Sequence, residues 1–172
     1  MYHFSNFCSD LEYIVDTSSS YKELVTRGSA IMQKLVNTEN LINSEQIHKI
    51  SHGEMDNYVY RSEKNDFVVQ IFTWWGHTET PVHDHGTWGL MGIYQNTLRV
   101  AEFRYINQDL KETESYIVKK GDVAYLIPPD EEIHHVSNIN DEMSISIHVY
   151  GKDIKEYNIY DLENGEIIHQ VV

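Results

Sequence analysis

The sequence predicts a mainly β protein, a barrel or sandwich preceded by a helical N-terminal segment, and three observations carry that expectation. Across residues 17–35, Tyr21, Leu24, Val25, Ala30, Ile31, Met32 and Leu35 recur at the three-to-four-residue spacing of an amphipathic helix. From residue 57 onward the texture changes to short β-branched and aromatic runs broken by turn residues. A chain of 172 residues is long enough to bury a sizeable core and short enough to be one domain. One domain is therefore expected over 1–172, helical over about 17–53 and barrel-forming over about 57–172.

Each element has its own signal. Thr17 to Ser20 offer an N-cap to the first helix. A second, shorter helix is expected after Asn43 and Ser44, with the serine as cap, Glu45, Ile47 and Ile50 following, and Gly53 as the stop. Strands are expected at 57–62, 67–75, 88–94, 98–106, 114–118, 122–127, 134–138, 144–150 and 167–171. Gln95, Asn96 and Thr97 read as a tight hairpin, Lys120-Gly121-Asp122 as a second turn, and Pro128-Pro129-Asp130 as a break. No internal repeat or low-complexity tract is visible.

Charge narrows the partners. With 27 acidic against 13 basic side chains, the formal net charge of -14 repels phosphate backbones and anionic bilayers, so neither nucleic acid nor membrane is expected as a partner. The single cysteine, Cys8, has no partner for an intramolecular disulfide, and the first ten residues lack the basic-then-apolar pattern of a secretory signal. A soluble, cytoplasmic protein is expected, as a monomer or small homo-oligomer.

The chemistry sits in the histidines. In Pro81-Val82-His83-Asp84-His85 the two imidazoles are two residues apart, so an extended chain points both to one face. A later segment, Gly121 to Asn138, carries a glycine, Pro128, His134 and Asn138. Together these resemble the cupin pattern, which pairs Gly and His-x-His in one segment with Gly, Pro and His-x-x-x-Asn in the next. That resemblance implies a double-stranded β-helix, or jelly-roll barrel, with one metal ion on His83, His85 and His134. The usual pattern adds a glutamate four or five residues after the second histidine, where this chain has Gly89 and Leu90. Three neutral imidazoles leave the charge of a dipositive ion uncompensated, which favours anionic ligands such as a thiolate. The stretch Ser144-Ile145-Ser146-Ile147-His148-Val149-Tyr150 alternates with period two, putting Ser146, His148 and Tyr150 on one face, either toward solvent or toward a barrel interior.

Three segments, Thr80 to Gly89, Ile133 to Asn138 and Ser144 to Gly151, together resemble the cysteine dioxygenase family of thiol dioxygenases over about residues 60–151. The resemblance implies a non-haem Fe(II) enzyme that converts a small thiol carboxylate, cysteine or mercaptopropionate, to its sulfinic acid with O2. It implies His83, His85 and His134 as ligands, a Ser146–His148–Tyr150 relay in which Tyr150 bonds substrate or oxygen, and Arg61 as the clamp for a substrate carboxylate. Thr87-Trp88-Gly89-Leu90 lacks the cysteine that some members cross-link to the tyrosine, so no cross-link is expected. Two departures bear on which thiol is used: His135 stands where many relatives have arginine, and no arginine follows Tyr150 through Tyr160. Other readings of the same histidines are a cupin isomerase or carbon-cleaving dioxygenase, and a non-enzymatic cupin that binds a small ligand.

Overall fold

The structure is a computed structural model that describes residues 2–172. Among them, helices α1 (Phe4–Thr17), α2 (Tyr21–Val36) and α3 (Ser44–Ser51) come first. Ten strands follow: β1 (Tyr58–Arg61), β2 (Val68–Trp74), β3 (Gly89–Gln95), β4 (Thr97–Ile106), β5 (Asp109–Lys119), β6 (Val123–Leu126), β7 (His134–Ser137), β8 (Ser144–Tyr150), β9 (Glu156–Asp161) and β10 (Glu166–Val171). The protein is mainly β with a helical N-terminal segment, as its hydrophobic periodicity predicts. No helix among the described residues is long and apolar enough to cross a membrane.

Local chemistry sets the helix ends. The Ser20 hydroxyl accepts from the Glu23 amide at 3.2 Å, while the Glu23 carboxylate accepts from the Ser19 amide at 2.9 Å. The cap of α3 is Asn43 rather than the expected Ser44, with Gln46 returning the bond in a capping box. Helix α1 was not expected. Phe7, Cys8, Leu11 and Ile14 are buried at helical spacing, but Ser5, Asn6, Ser9 and Asp10 interrupt the apolar pattern, and His3 makes no capping bond with its side chain.

The strands form two layers. The first has the order β1-β2-β8-β3-β6. The second has β5-β4-β7, and His83 extends it by bridging His134 on one side and Ile159 of β9 on the other, with β10 beyond. The expected hairpin at Gln95–Thr97 is instead a corner: β3 pairs with β6 and β8, β4 with β5 and β7, and Asn96 at φ 58° carries the chain from one layer to the other. The real hairpin joins β4 to β5 through Asn107 and Gln108, both at positive φ as a type I′ turn requires.

Three clusters make up the core, the smallest being Val82, Ala101, Phe103 and Ile133. Helices α1 and α2 cover the outer face of the first layer, where Phe7, Leu11, Met32 and Leu35 join Val69, Ile71, Leu90, Ile145, Ile147 and Val149. Burying side chains of this size contributes roughly 1.5–3 kcal/mol each. Contact is close because β3 carries glycine there; a Cβ at Gly92 would lie 2.7 Å from Met32 Cγ and from Val36 Cγ1. Between the layers, Met91, Ile93, Leu98, Val100, Val118 and Val136 fill one end of the barrel. Strand β8 is buried on both faces, so its aliphatic row meets the helices and its Ser–His–Tyr row faces the barrel interior.

Candidate metal centre

The bridge between His83 and His134 builds the centre from backbone upward. Each amide donates to the other's carbonyl at 2.9 Å, which sets the two rings side by side with centroids 4.7 Å apart. His85, two residues on, turns its ring to the same face, with centroids 4.7 Å from His83 and 5.3 Å from His134. One donor atom from each of the three lies within 4.8 Å of the others, and all three residues are buried. The chain brings together the three histidines that the resemblance to the cupin pattern implied.

Their surroundings fit a metal ion. His83 Nδ1 lies 2.9 Å from the Pro81 carbonyl and must donate to it, which leaves the Nε2 lone pair free. Both ring nitrogens of His85 are buried without a hydrogen-bond partner, a costly arrangement unless one of them binds a ligand. Burial pushes the pKa of His83 down and those of His85 and His134 well down, so the imidazoles are neutral and their lone pairs available.

Acidic residues hold the loop from outside. Asp84 points away from its histidine neighbours and accepts from the Asn158 amide at 2.9 Å, its Nδ2 at 2.8 Å and the Tyr160 hydroxyl at 2.7 Å. Glu132 accepts from the Gly86 amide at 2.7 Å and from that of His85 at 3.3 Å. Neither carboxylate belongs to the group of three. Their backbone-anchoring role has no spacing signature, and the sequence reading missed both.

Beside the imidazoles lies the row from β8. The Ser146 hydroxyl is 2.8 Å from His148 Nε2, and His148 Nδ1 is 2.9 Å from the Tyr150 hydroxyl. Trp74, on neighbouring β2, donates its indole N–H to Ser146 Oγ at 2.8 Å. An indole can only donate, so the serine hydrogen is left for His148 Nε2, the only other partner Ser146 Oγ has among the described residues. The single proton of the neutral imidazole then sits on Nδ1 and donates to the Tyr150 oxygen. Tyr150 O–H is free to donate into the cavity. Burial holds His148 down to about 3 and raises the Tyr150 phenol, so neither group carries charge near neutral pH.

A cavity of about 400 Å³ opens onto these groups; its walls include Asn57, Tyr58, Gln70, Phe72, Trp74 and Tyr157 as well as the three histidines, His148 and Tyr150. Arg61 is not in its wall. The end of β1 turns its guanidinium outward, where it pairs with Asp153 at 2.7 Å, lies 3.7 Å from the centroid of the Tyr58 ring and stays half-exposed. The structure therefore does not place Arg61 as the expected carboxylate clamp. His77 is exposed and bonded to Asp141, and His135 turns away to Glu79. Of the β2 residues in the wall, Gln70 and Phe72 were not expected, although Gln70 interrupts the apolar stretch 67–72 and register pairs it with His148.

No family model matches the sequence. Facing antiparallel layers with three histidines between them decide the architecture. The fold is a cupin double-stranded β-helix. Solved structures similar to it include an oxalate oxidase in complex with the substrate analogue glycolate, at 13% identity over 60% of this chain and 45% of that one, with a TM-score of 0.43. The cupin domain of Schizosaccharomyces pombe Cnp3 matches at 16% over 56% of this chain and 59% of that one, with a TM-score of 0.44. A conserved Klebsiella pneumoniae protein with a double-stranded β-helix domain matches at 18% over 69% and 84%, with a TM-score of 0.42. The chain thus spans less than half of the oxalate oxidase chain.

Proposed function

We propose that this cupin is an Fe(II)-dependent thiol dioxygenase that combines a small thiol with O2 to give the sulfinic acid, R–SH + O2 → R–SO2H. The observation that carries the reading is the row Trp74–Ser146–His148–Tyr150, which ends in a phenol free to donate beside a ligand set of three neutral imidazoles. Bound to those imidazoles, Fe(II) would supply a Lewis acid that acidifies a thiol and a redox-active partner for O2.

The residues of the chain do the positioning. Pro81 fixes the tautomer of His83, and Glu132 and Asp84 fix the backbone that carries His83 and His85. Tyr150 keeps its proton and presents it to an anionic oxygen or sulfur, while His148 holds the phenol in place through its oxygen. Phe72 and Trp74 line that wall with apolar surface and limit water. Position 89 is closely packed against Tyr150. Gly89 pairs with Tyr150 across the sheet, and a Cβ there would meet Tyr150 Cδ1 at 3.4 Å and Leu126 Cδ1 at 3.3 Å.

The test is aerobic incubation of Fe(II)-loaded protein with a panel of small thiols, following O2 uptake and product mass. The expected result is one O2 consumed per thiol and a product heavier by two oxygen atoms. Iron retained without O2 uptake for any thiol would overturn the reading and favour a ligand-binding cupin.

A further inference from the structure

The wall of the cavity carries hydrogen-bond acceptors and aromatic faces where a binder of carboxylates needs a fixed cation. Gln70 stands on β2 directly opposite His148 and is buried. Its amide nitrogen donates to Asn57 Oδ1 at 3.3 Å, which leaves the amide oxygen without a partner among the described residues and directed to the cavity side of the strand. Around it stand the rings of Tyr58, Phe72, Trp74 and Tyr157, whose faces are electron-rich. Behind Tyr58, whose hydroxyl donates to Asp153 at 2.8 Å, the nearest guanidinium is already paired with that same carboxylate. Neither lysine nor arginine is among the cavity-lining residues.

We propose that Gln70 makes the site selective for thiols that lack a free carboxylate, with a neutral amide or an ammonium group in that position. This rests on the thiol dioxygenase reading and names its substrate class. A carboxylate brought against the Gln70 oxygen and the aromatic faces would lose its hydration with no cation in exchange. An N–H of an amide or an ammonium group instead finds in the Gln70 oxygen an acceptor that is otherwise unpaired. The cavity is also roomier than free cysteine requires, leaving space beyond the α-carbon for a group attached through an amide. Arg61, which the family resemblance implied as the clamp, is half-exposed and occupied by Asp153.

Cysteine and cysteinamide differ only in carboxylate against carboxamide, and so isolate the proposal. Each is titrated anaerobically into Co(II)-loaded protein, with the thiolate-to-cobalt absorption band as readout and no turnover involved. The same titration with Gln70→Lys gives a ratio of ratios in which the different acidities of the two thiols cancel. The parent protein is expected to bind cysteinamide at least tenfold more tightly than cysteine, and Gln70→Lys to shrink that preference at least tenfold. Equal or tighter binding of cysteine by the parent overturns the proposal, as does an unchanged ratio in a folded Gln70→Lys that retains cobalt. Should Gln70→Lys fail to fold, Gln70→Leu is expected to weaken cysteinamide binding severalfold and leave cysteine unchanged. A band with neither thiol, in protein that holds cobalt, overturns the thiol reading itself and this proposal with it.

Discussion

At the scale of single residues, His83 and His85 were legible because a two-residue repeat puts both imidazoles on one face, while His134 was legible only through the resemblance to the cupin pattern. His134→Ala should abolish retention of iron through gel filtration, as measured by elemental analysis, because two imidazoles cannot replace the lost donor. Tyr150→Phe should keep the iron yet slow turnover by about 10²–10⁴-fold, the usual range for a lost proton donor. Metal content and rate, measured on the same sample, separate the two roles. Arg61 differs from the position the family resemblance implies for a physical reason: Asp153, which pairs with it from beyond β8, is invisible until the chain folds. Arg61→Ala should change binding of cysteine and cysteinamide by similar factors. A half-exposed, solvent-screened pair of this kind adds little to stability.

At the scale of elements, the sequence displayed most strands because alternation and turn residues are local signals, while pairing is not. The alternation of β8 showed a polar row without showing which way it faced, and the N-terminal helices decide that by covering the aliphatic side. Strand β9 went unmarked because Glu156, Asn158 and Asp161 dilute its apolar content. Yet β9 anchors the metal loop: Asn158 and Tyr160 place three hydrogen bonds on Asp84, between the two ligand histidines. Asp84→Ala would strand those donors and free the loop, and metal affinity, read by competition with a chromophoric chelator, should fall about 10–100-fold. Asp84→Asn, which preserves part of the network, should lose less. The join of α2 to β3 is as specific. Gly92→Ala would press a methyl into Met32 and Val36, and chemical denaturation should show a loss of about 1–3 kcal/mol with iron binding retained.

For the whole molecule, composition and periodicity located the barrel, but nothing in the sequence states that four histidines are buried within it, and that burial has a thermodynamic consequence. In the unfolded chain each imidazole titrates near pH 6.5. Folded and metal-free, His148 is held down to about 3 by burial, and His83, His85 and His134 are all lowered as well. Between those limits the unfolded chain binds more protons than the folded one, so stability rises with pH through the window. It is fully present above about pH 6.5 and is lost as acid protonates the unfolded chain. Glu132 opposes this, because burial raises its carboxyl, but it is one group against four. The metal-free protein should therefore melt at a distinctly lower temperature at pH 5 than at pH 7.5, and the difference should be reversible on return to pH 7.5. His148→Gln should remove about 2 kcal/mol of the stability difference between pH 7.5 and pH 5, since one titrating group is removed. Bound iron should raise the melting temperature at pH 7.5 by mass action and lose that advantage toward pH 5, because protons compete for the same three lone pairs. A melting temperature independent of pH across this range in metal-free protein would show that the four imidazoles do not sit dry and neutral between the two layers.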